Sequence, residues 1–156
     1  MDRSLYRRDP GPTPARQADG VTLRPLTPDD DTALGTLMER AYAGTIDDDL
    51  GDNNDGAVEI AAWRQRAIAD ASFVAVGEDN QPLAASLVSP GRDGTAMIAY
   101  VITDPQCKGR GLGTAVVAAS LQALPGAVVL AGVTDGNTPS ERLLTSLGFV
   151  RTGPVT

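Results

Sequence analysis

Between an apolar stretch that ends near Ile102 and an Ala/Val-rich stretch that starts at Thr114 lies Gly109-Arg110-Gly111-Leu112-Gly113. Glycine permits positive φ and lets a ligand approach the backbone closely. A helix start offers N–H groups without intrahelical partners and the positive end of the helix dipole. A strand end, a glycine turn and a helix N-terminus together make an anion site suited to phosphate or pyrophosphate. Lys108 and Arg110 add positive charge to it. The spacing separates this loop from other phosphate binders. No Gly-x-x-x-x-Gly-Lys-Ser/Thr run exists in the chain, and the dinucleotide fingerprint Gly-x-Gly-x-x-Gly is missed by one residue. On its own, such a triplet is also compatible with a turn that holds no ligand.

The elements around the loop predict a mixed α/β layer structure. Val21 to Leu26 alternates apolar and polar residues and reads as a strand. Thr27 or Asp29 caps a helix from about Asp30 to Tyr42, with Pro28 near its first turn and Ala33, Leu34, Leu37, Met38 and Ala41 on one face. Gly44-Thr45 ends it, and the acidic stretch Ile46 to Gly56 reads as a solvated loop. A second helix is expected over Ala57 to Ala69. Phe73–Val76, Leu83–Val88 and Thr95–Ile102, separated by turn residues, read as an antiparallel meander. A helix over Gly111–Leu124 stops at Pro125-Gly126. Ala127–Val133 suits a buried parallel strand. A last helix covers Pro139–Leu147, with Gly148 as C-cap, and Phe149 opens a final strand. The predicted order is β-α-α-β-β-β-α-β-α-β with a short C-terminus. Residues 1–20 carry three prolines and four arginines. They read as a flexible arm, leaving 21–156 as a single domain.

Composition removes several chemistries. The chain of 156 residues has no histidine and one cysteine. Ser-His-Asp and Cys-His catalysis, His-ligated zinc and a histidine base are therefore excluded, as is an internal disulfide. Proton transfer must use a carboxylate, tyrosine, lysine or water. A net charge of −7 disfavours nucleic acid as a partner. No stretch has the length of a membrane span and no apolar leader opens the sequence, so the expected location is cytoplasmic, with no membrane partner.

The loop resembles the acyl-CoA pyrophosphate motif of the GCN5-related N-acetyltransferase (GNAT) family, Gln/Arg-x-x-Gly-x-Gly/Ala. Gln106 to Gly111 fits literally. Lys108 to Gly113 fits with Lys for Arg, and is preferred because Pro105 stands where the family commonly has proline. Downstream, Asn137-Thr138-Pro139-Ser140-Glu141-Arg142-Leu143-Leu144 and Leu147-Gly148-Phe149 look like the family's second element. The resemblance covers roughly residues 21–151.

It implies a GNAT-like acyltransferase fold in which a gap opens between the strands Thr95–Ile102 and Ala127–Val133. Acetyl-CoA or another acyl-CoA would be the co-substrate, with no metal. The implied cofactor-binding residues are Val101, Ile102, Thr103, Lys108, Gly109, Arg110, Gly111, Leu112, Gly113, Thr114 and Asn137. A backbone N–H near Tyr100 to Ile102 would polarise the thioester carbonyl. The family often has a tyrosine that protonates the departing thiolate; Leu144 stands there instead. The Thr95–Ile102 strand has no carboxylate, so the base is sought at Asp47, Asp48, Asp49 or Glu59. Glu59 and Tyr100 are the catalytic candidates; Tyr42 is a further polar one, and Cys107 reads as incidental. The expected activity is acyl transfer to a primary amine of a small molecule or protein, the acidic loop suggesting a cationic acceptor. The alternative is a non-catalytic acyl-CoA-binding module. Family members usually end in a hairpin that this chain lacks room for. The missing edge is expected to be open, covered by the N-terminal arm, or completed by a partner in a homodimer.

Overall fold

The structure is a computed structural model that describes residues 2–42 and 55–155. Its strands are β1 (Arg3–Arg8), β2 (Thr22–Pro25), β3 (Phe73–Val76), β4 (Pro82–Pro90), β5 (Ala96–Thr103), β6 (Val129–Thr134) and β7 (Val150–Pro154). Its α-helices are α1 (Asp31–Tyr42), α2 (Gly56–Arg64), α3 (Leu112–Gln122) and α4 (Thr138–Ser146). Every predicted element from β2 onward is present, with ends shifted by a few residues. The largest difference is α2, which stops at Arg64, five residues short of the expected Ala69. None of these helices is long and apolar enough to cross a membrane.

The strands form one mixed sheet in the order β2-β3-β4-β5-β6-β1-β7. Neighbours pair antiparallel except β5 and β6, which are parallel. Alternation along the strands divides the core. Val129, Ala131 and Val133 of β6 pack with Val117 and Leu121 of α3 and Leu144 of α4 on one face. Leu34, Leu37 and Met38 of α1 pack with Ile60 and Trp63 of α2 on the other, over Val74, Leu87 and Ile102.

The parallel pairing is short. It runs Ala96↔Val129, Met97↔Leu130 and Ile98↔Ala131 and ends there, although β5 continues to Thr103. A β-bulge sits at the same level: Leu87 pairs with Tyr100 and Val88 with Ile98, so Ala99 is the extra residue. Bulges bend a strand and re-aim its side chains. Ile98 belongs to the α3/α4 face, whereas Ala99 and Tyr100 pack toward α1 and α2.

The N-terminal segment corrects the sequence expectation of a flexible arm. Arg3–Arg8 is a strand inserted between β6 and β7, antiparallel to both. Its inward residues are Ser4, Tyr6 and Arg8, all buried. Ser4 Oγ donates to Asp135 Oδ1 at 2.6 Å. Arg8 Nε donates to the Leu147 carbonyl at 2.8 Å, and its Nη2 to Thr13 Oγ1 at 2.7 Å. The strand thus lies inside the sheet, and β7 forms the edge beyond it. The expected boundary at residue 21 falls away accordingly.

Helices α1 and α2 cross at a pair of glycines. A Cβ on Gly56 would run into the backbone carbonyl of Gly35. The Gly56 N–H also donates to Glu39 Oε2 at 2.8 Å. Gly56→Ala is therefore expected to lower stability by about 1–3 kcal/mol through overpacking, read as a fall in urea midpoint at constant slope.

Candidate active site

The cleft follows from the splay of the sheet. Once β5 and β6 part beyond Ile98 and Ala131, a cavity of about 920 Å³ opens between them and continues over the N-terminus of α3. Along an antiparallel strand, backbone groups alternate between its two neighbours. β5 keeps β4 on one side through Thr103, so alternate N–H and C=O groups on its other edge face the gap. Val101, Ile102 and Thr103 line it.

At one end stands the glycine loop. Gly109 and Gly111 have φ of +85° and +79°, and a Cβ on either would meet open space. Gly111 is the N-cap of α3, so the unsatisfied N–H groups of that helix face this space. Asp104 fixes the approach to the loop: its carboxylate accepts from Gln106 N and from Arg40 of α1, each at 2.9 Å. These residues fit a pyrophosphate, and Lys108 and Thr114 line the same cleft.

Three expected cofactor residues take different roles. Leu112 is buried in the core, so only its backbone is available to a ligand. Gly113 serves packing, since a Cβ there would lie 2.9 Å from Leu143 Cδ1 and 3.4 Å from Thr103 Oγ1. Arg110 turns away from the cleft. Its Nη2 donates to the Asp19 carbonyl at 3.0 Å and its Nη1 to Cys107 Sγ at 3.5 Å. Cys107 itself is buried beside Leu112 and Val116. Asn137 lines the cleft and caps α4, its Oδ1 accepting from Ser140 N at 3.4 Å.

At the other end, the structure brings Tyr100 and Glu59 together. The Tyr100 hydroxyl donates to Glu59 Oε2 at 2.8 Å. Burial, then the hydrogen bond to Glu59, pushes the phenol up to about 12. Tyr100 is thus a neutral donor at physiological pH and no base. Glu59 sits in the first turn of α2, where the helix dipole favours a carboxylate. Tyr42 and Trp63 also line this end, and Trp63 Nε1 is anchored on the Val88 carbonyl at 3.2 Å. Asp47, Asp48 and Asp49 lie outside the described residues, as do Gly44 and Thr45. Sequence reasoning missed Arg3 and Arg66, which both line the cleft. Neither lies in a motif, and Arg3 reaches the cleft only through the unforeseen strand.

The sequence profile of the acetyltransferase (GNAT) family matches residues 36–149. The chain belongs to this family. No curated protein matches it in sequence. Among solved structures, a GCN5-related N-acetyltransferase from Sphaerobacter thermophilus superposes with a TM-score of 0.75 at 19% identity, covering 98% of this chain and 49% of that one. A protein of Pyrococcus horikoshii gives 0.74 at 17% identity, covering 87% and 92%. The yncA protein of Salmonella typhimurium, solved with its cofactor acetyl-CoA, gives 0.66 at 23% identity, covering 85% and 80%. At these identities the likeness carries the fold alone. The chain spans 49%, 61%, 48% and 56% of the length of four such structures.

Within the GNAT frame, Leu144 holds the position where a tyrosine is often found. It lines the cleft but is only 3% exposed, packed with Val117, Leu147 and Phe149. Leu144→Tyr is expected to cost about 1–3 kcal/mol by overpacking. The check is a lowered melting temperature without any gain in acyl-transfer rate.

Proposed function

We propose that this protein is an acyl-CoA-dependent N-acyltransferase that moves an acetyl or other short acyl group to a primary amine of a small molecule or protein. One observation carries the reading. A single cleft joins a glycine-lined helix N-terminus to a hydrogen-bonded Tyr100–Glu59 pair, along a strand edge that faces the gap. The loop holds the pyrophosphate of acyl-CoA, and the open edge of β5 holds the pantetheine arm. A backbone N–H between Tyr100 and Ile102 polarises the thioester carbonyl where negative charge develops.

The amine nitrogen attacks the carbonyl carbon, the C–N bond forms and the C–S bond breaks. Glu59 accepts the proton that the nitrogen gives up, directly or through water. The thiolate leaves to solvent and takes a proton there, because Leu144 has none to give. Positioning of the two reactants supplies much of the acceleration. The acidic protein works in the cytoplasm, without a nucleic-acid or membrane partner.

Leu144 also favours a second reading, a binding module that holds acyl-CoA without turnover. Both readings predict that acetyl-CoA stabilises the fold. At about 100 times its Kd a ligand adds roughly 2.7 kcal/mol, or about 5–10 °C in melting temperature for a chain of this size. No shift at millimolar acetyl-CoA would remove both. Release of free CoA on adding amines separates them, since only the enzyme produces it.

A further inference from the structure

Two of the cations that line the cleft stand away from its phosphate-loop end. Among the described residues its charged side chains are Arg3, Glu59, Arg66, Lys108 and Arg142, so cations outnumber the acid. Lys108 and Arg142 belong to the CoA end. Lys108 precedes Gly109, and Arg142 adjoins Leu143, the residue packed on Gly113. Arg3 and Arg66 belong to the other end, with Glu59 and Tyr100.

Arg3 is placed there by construction. It pairs with Thr134 at the end of β1, on the sheet face opposite Ala131 and Val133. Its Nη2 donates to the Gly132 carbonyl at 3.0 Å. The guanidinium fills the space where residue 132 lacks a side chain, 3.2 Å from the position of a Cβ. Gly132 is the first residue of β6 beyond the last parallel pair, so the guanidinium stands where the sheet splays. Four of the five guanidinium N–H donors remain after that single hydrogen bond. Arg66 follows α2, is exposed, and makes no side-chain hydrogen bond or ion pair among the described residues. Both guanidiniums act electrostatically on the same Tyr100 hydroxyl, each opposing the effect of burial.

Two like charges facing one cleft repel, and an anion between them relieves the repulsion. A guanidinium recognises a carboxylate through parallel N–H···O bonds. The same two cations disfavour an ammonium nearby, which promotes the neutral amine that attack requires. We propose that Arg3 and Arg66 bind the carboxylate of the acceptor, which is an amino acid or similar aminocarboxylate whose amine faces Glu59. The proposal rests on the acyltransferase reading above. It departs from a cationic acceptor, an expectation drawn from the acidic stretch Ile46 to Gly56, which lies outside the described residues up to position 54.

The test does not need turnover. The CoA-saturated protein is titrated by calorimetry with N-acetyl amino acids of apolar, polar, acidic and basic side chain, each against its own primary amide. The expected result is that at least one acid binds about 10–100-fold more tightly than its amide. Arg66→Gln and Arg3→Gln should each erase most of that preference and leave CoA affinity intact. Arg92→Gln, on the exposed β4–β5 turn, should preserve it and controls for net charge. Equal binding of acid and amide across the panel, or a preference that survives both cleft substitutions, overturns the proposal. Tighter binding of phosphoethanolamine than of any acid also overturns it, in favour of a phosphate. Failure to bind CoA at all removes the acyltransferase reading, and the proposal falls with it; retained CoA binding without an acid preference removes the proposal alone.

Discussion

Gly111→Val should weaken acetyl-CoA binding by about 100-fold or more while the protein remains folded. Gly111 has φ +79° and ψ 13°, in the left-handed region, and serves as the N-cap of α3. A β-branched residue is a genuine outlier there, and the strain is of order 1–3 kcal/mol. That is a fraction of the 5–15 kcal/mol that typically holds a domain together. No clash contributes, because a Cβ at this position meets nothing within 4 Å. The emptiness is what a pyrophosphate would use. Valine places its methyl groups in that space and resists the turn that aims the helix N–H groups at it. Gly113→Ala makes the contrast. Its Cβ would press on Leu143 Cδ1, the end of a flexible side chain, at 2.9 Å. That change should act on α3–α4 packing and stability more than on affinity. Calorimetric titration beside thermal melts distinguishes the two. A folded Gly111→Val that bound acetyl-CoA like the parent would mean that the ligand lies elsewhere.

The glycine loop was legible because its signal is local. A strand end, positive-φ glycines and a helix start are adjacent in sequence, and the same adjacency fixes their geometry. β5 and β6 were legible for a related reason, since continuous apolar runs such as Ala127–Val133 need cover on both faces. β1 was not. Its period-two burial is written in Ser4, Tyr6 and Arg8, and the groups that satisfy the polar two, Asp135 and the Leu147 carbonyl, lie 131 and 139 residues away. Arginines and prolines around them gave the segment the look of a solvated arm. The Ala99 bulge had no signal either, yet it turns Tyr100 toward α2. Glu59 and Tyr100 could be named singly as polar candidates. That they form one hydrogen-bonded pair depends on the α1–α2 crossing and the bulge together.

Glu59→Gln is expected to lower kcat/KM for the amine by about 10²–10⁴-fold, with acetyl-CoA affinity unchanged. The carboxylate accepts a hydrogen bond from the Tyr100 hydroxyl through Oε2, which fixes its orientation and leaves Oε1 for the acceptor. Tyr100 itself holds its proton to about pH 12, so in the proposed mechanism it positions Glu59 and does not replace it. Tyr100→Phe should therefore cost less, about tenfold, by loosening Glu59. If the two act as a unit, the double substitution should be little worse than Glu59→Gln alone. Tyr100→Phe carries a second signature. A folded-state pKa raised above the unfolded value of 10.0 contributes stability that is complete below pH 10 and lost as pH rises through about 12. Melting temperature should thus fall less steeply between those values in Tyr100→Phe than in the parent. That readout reports the phenol whether or not an acceptor is known. Glu59→Gln retaining kcat/KM within about threefold of the parent would move the base to another group or to water.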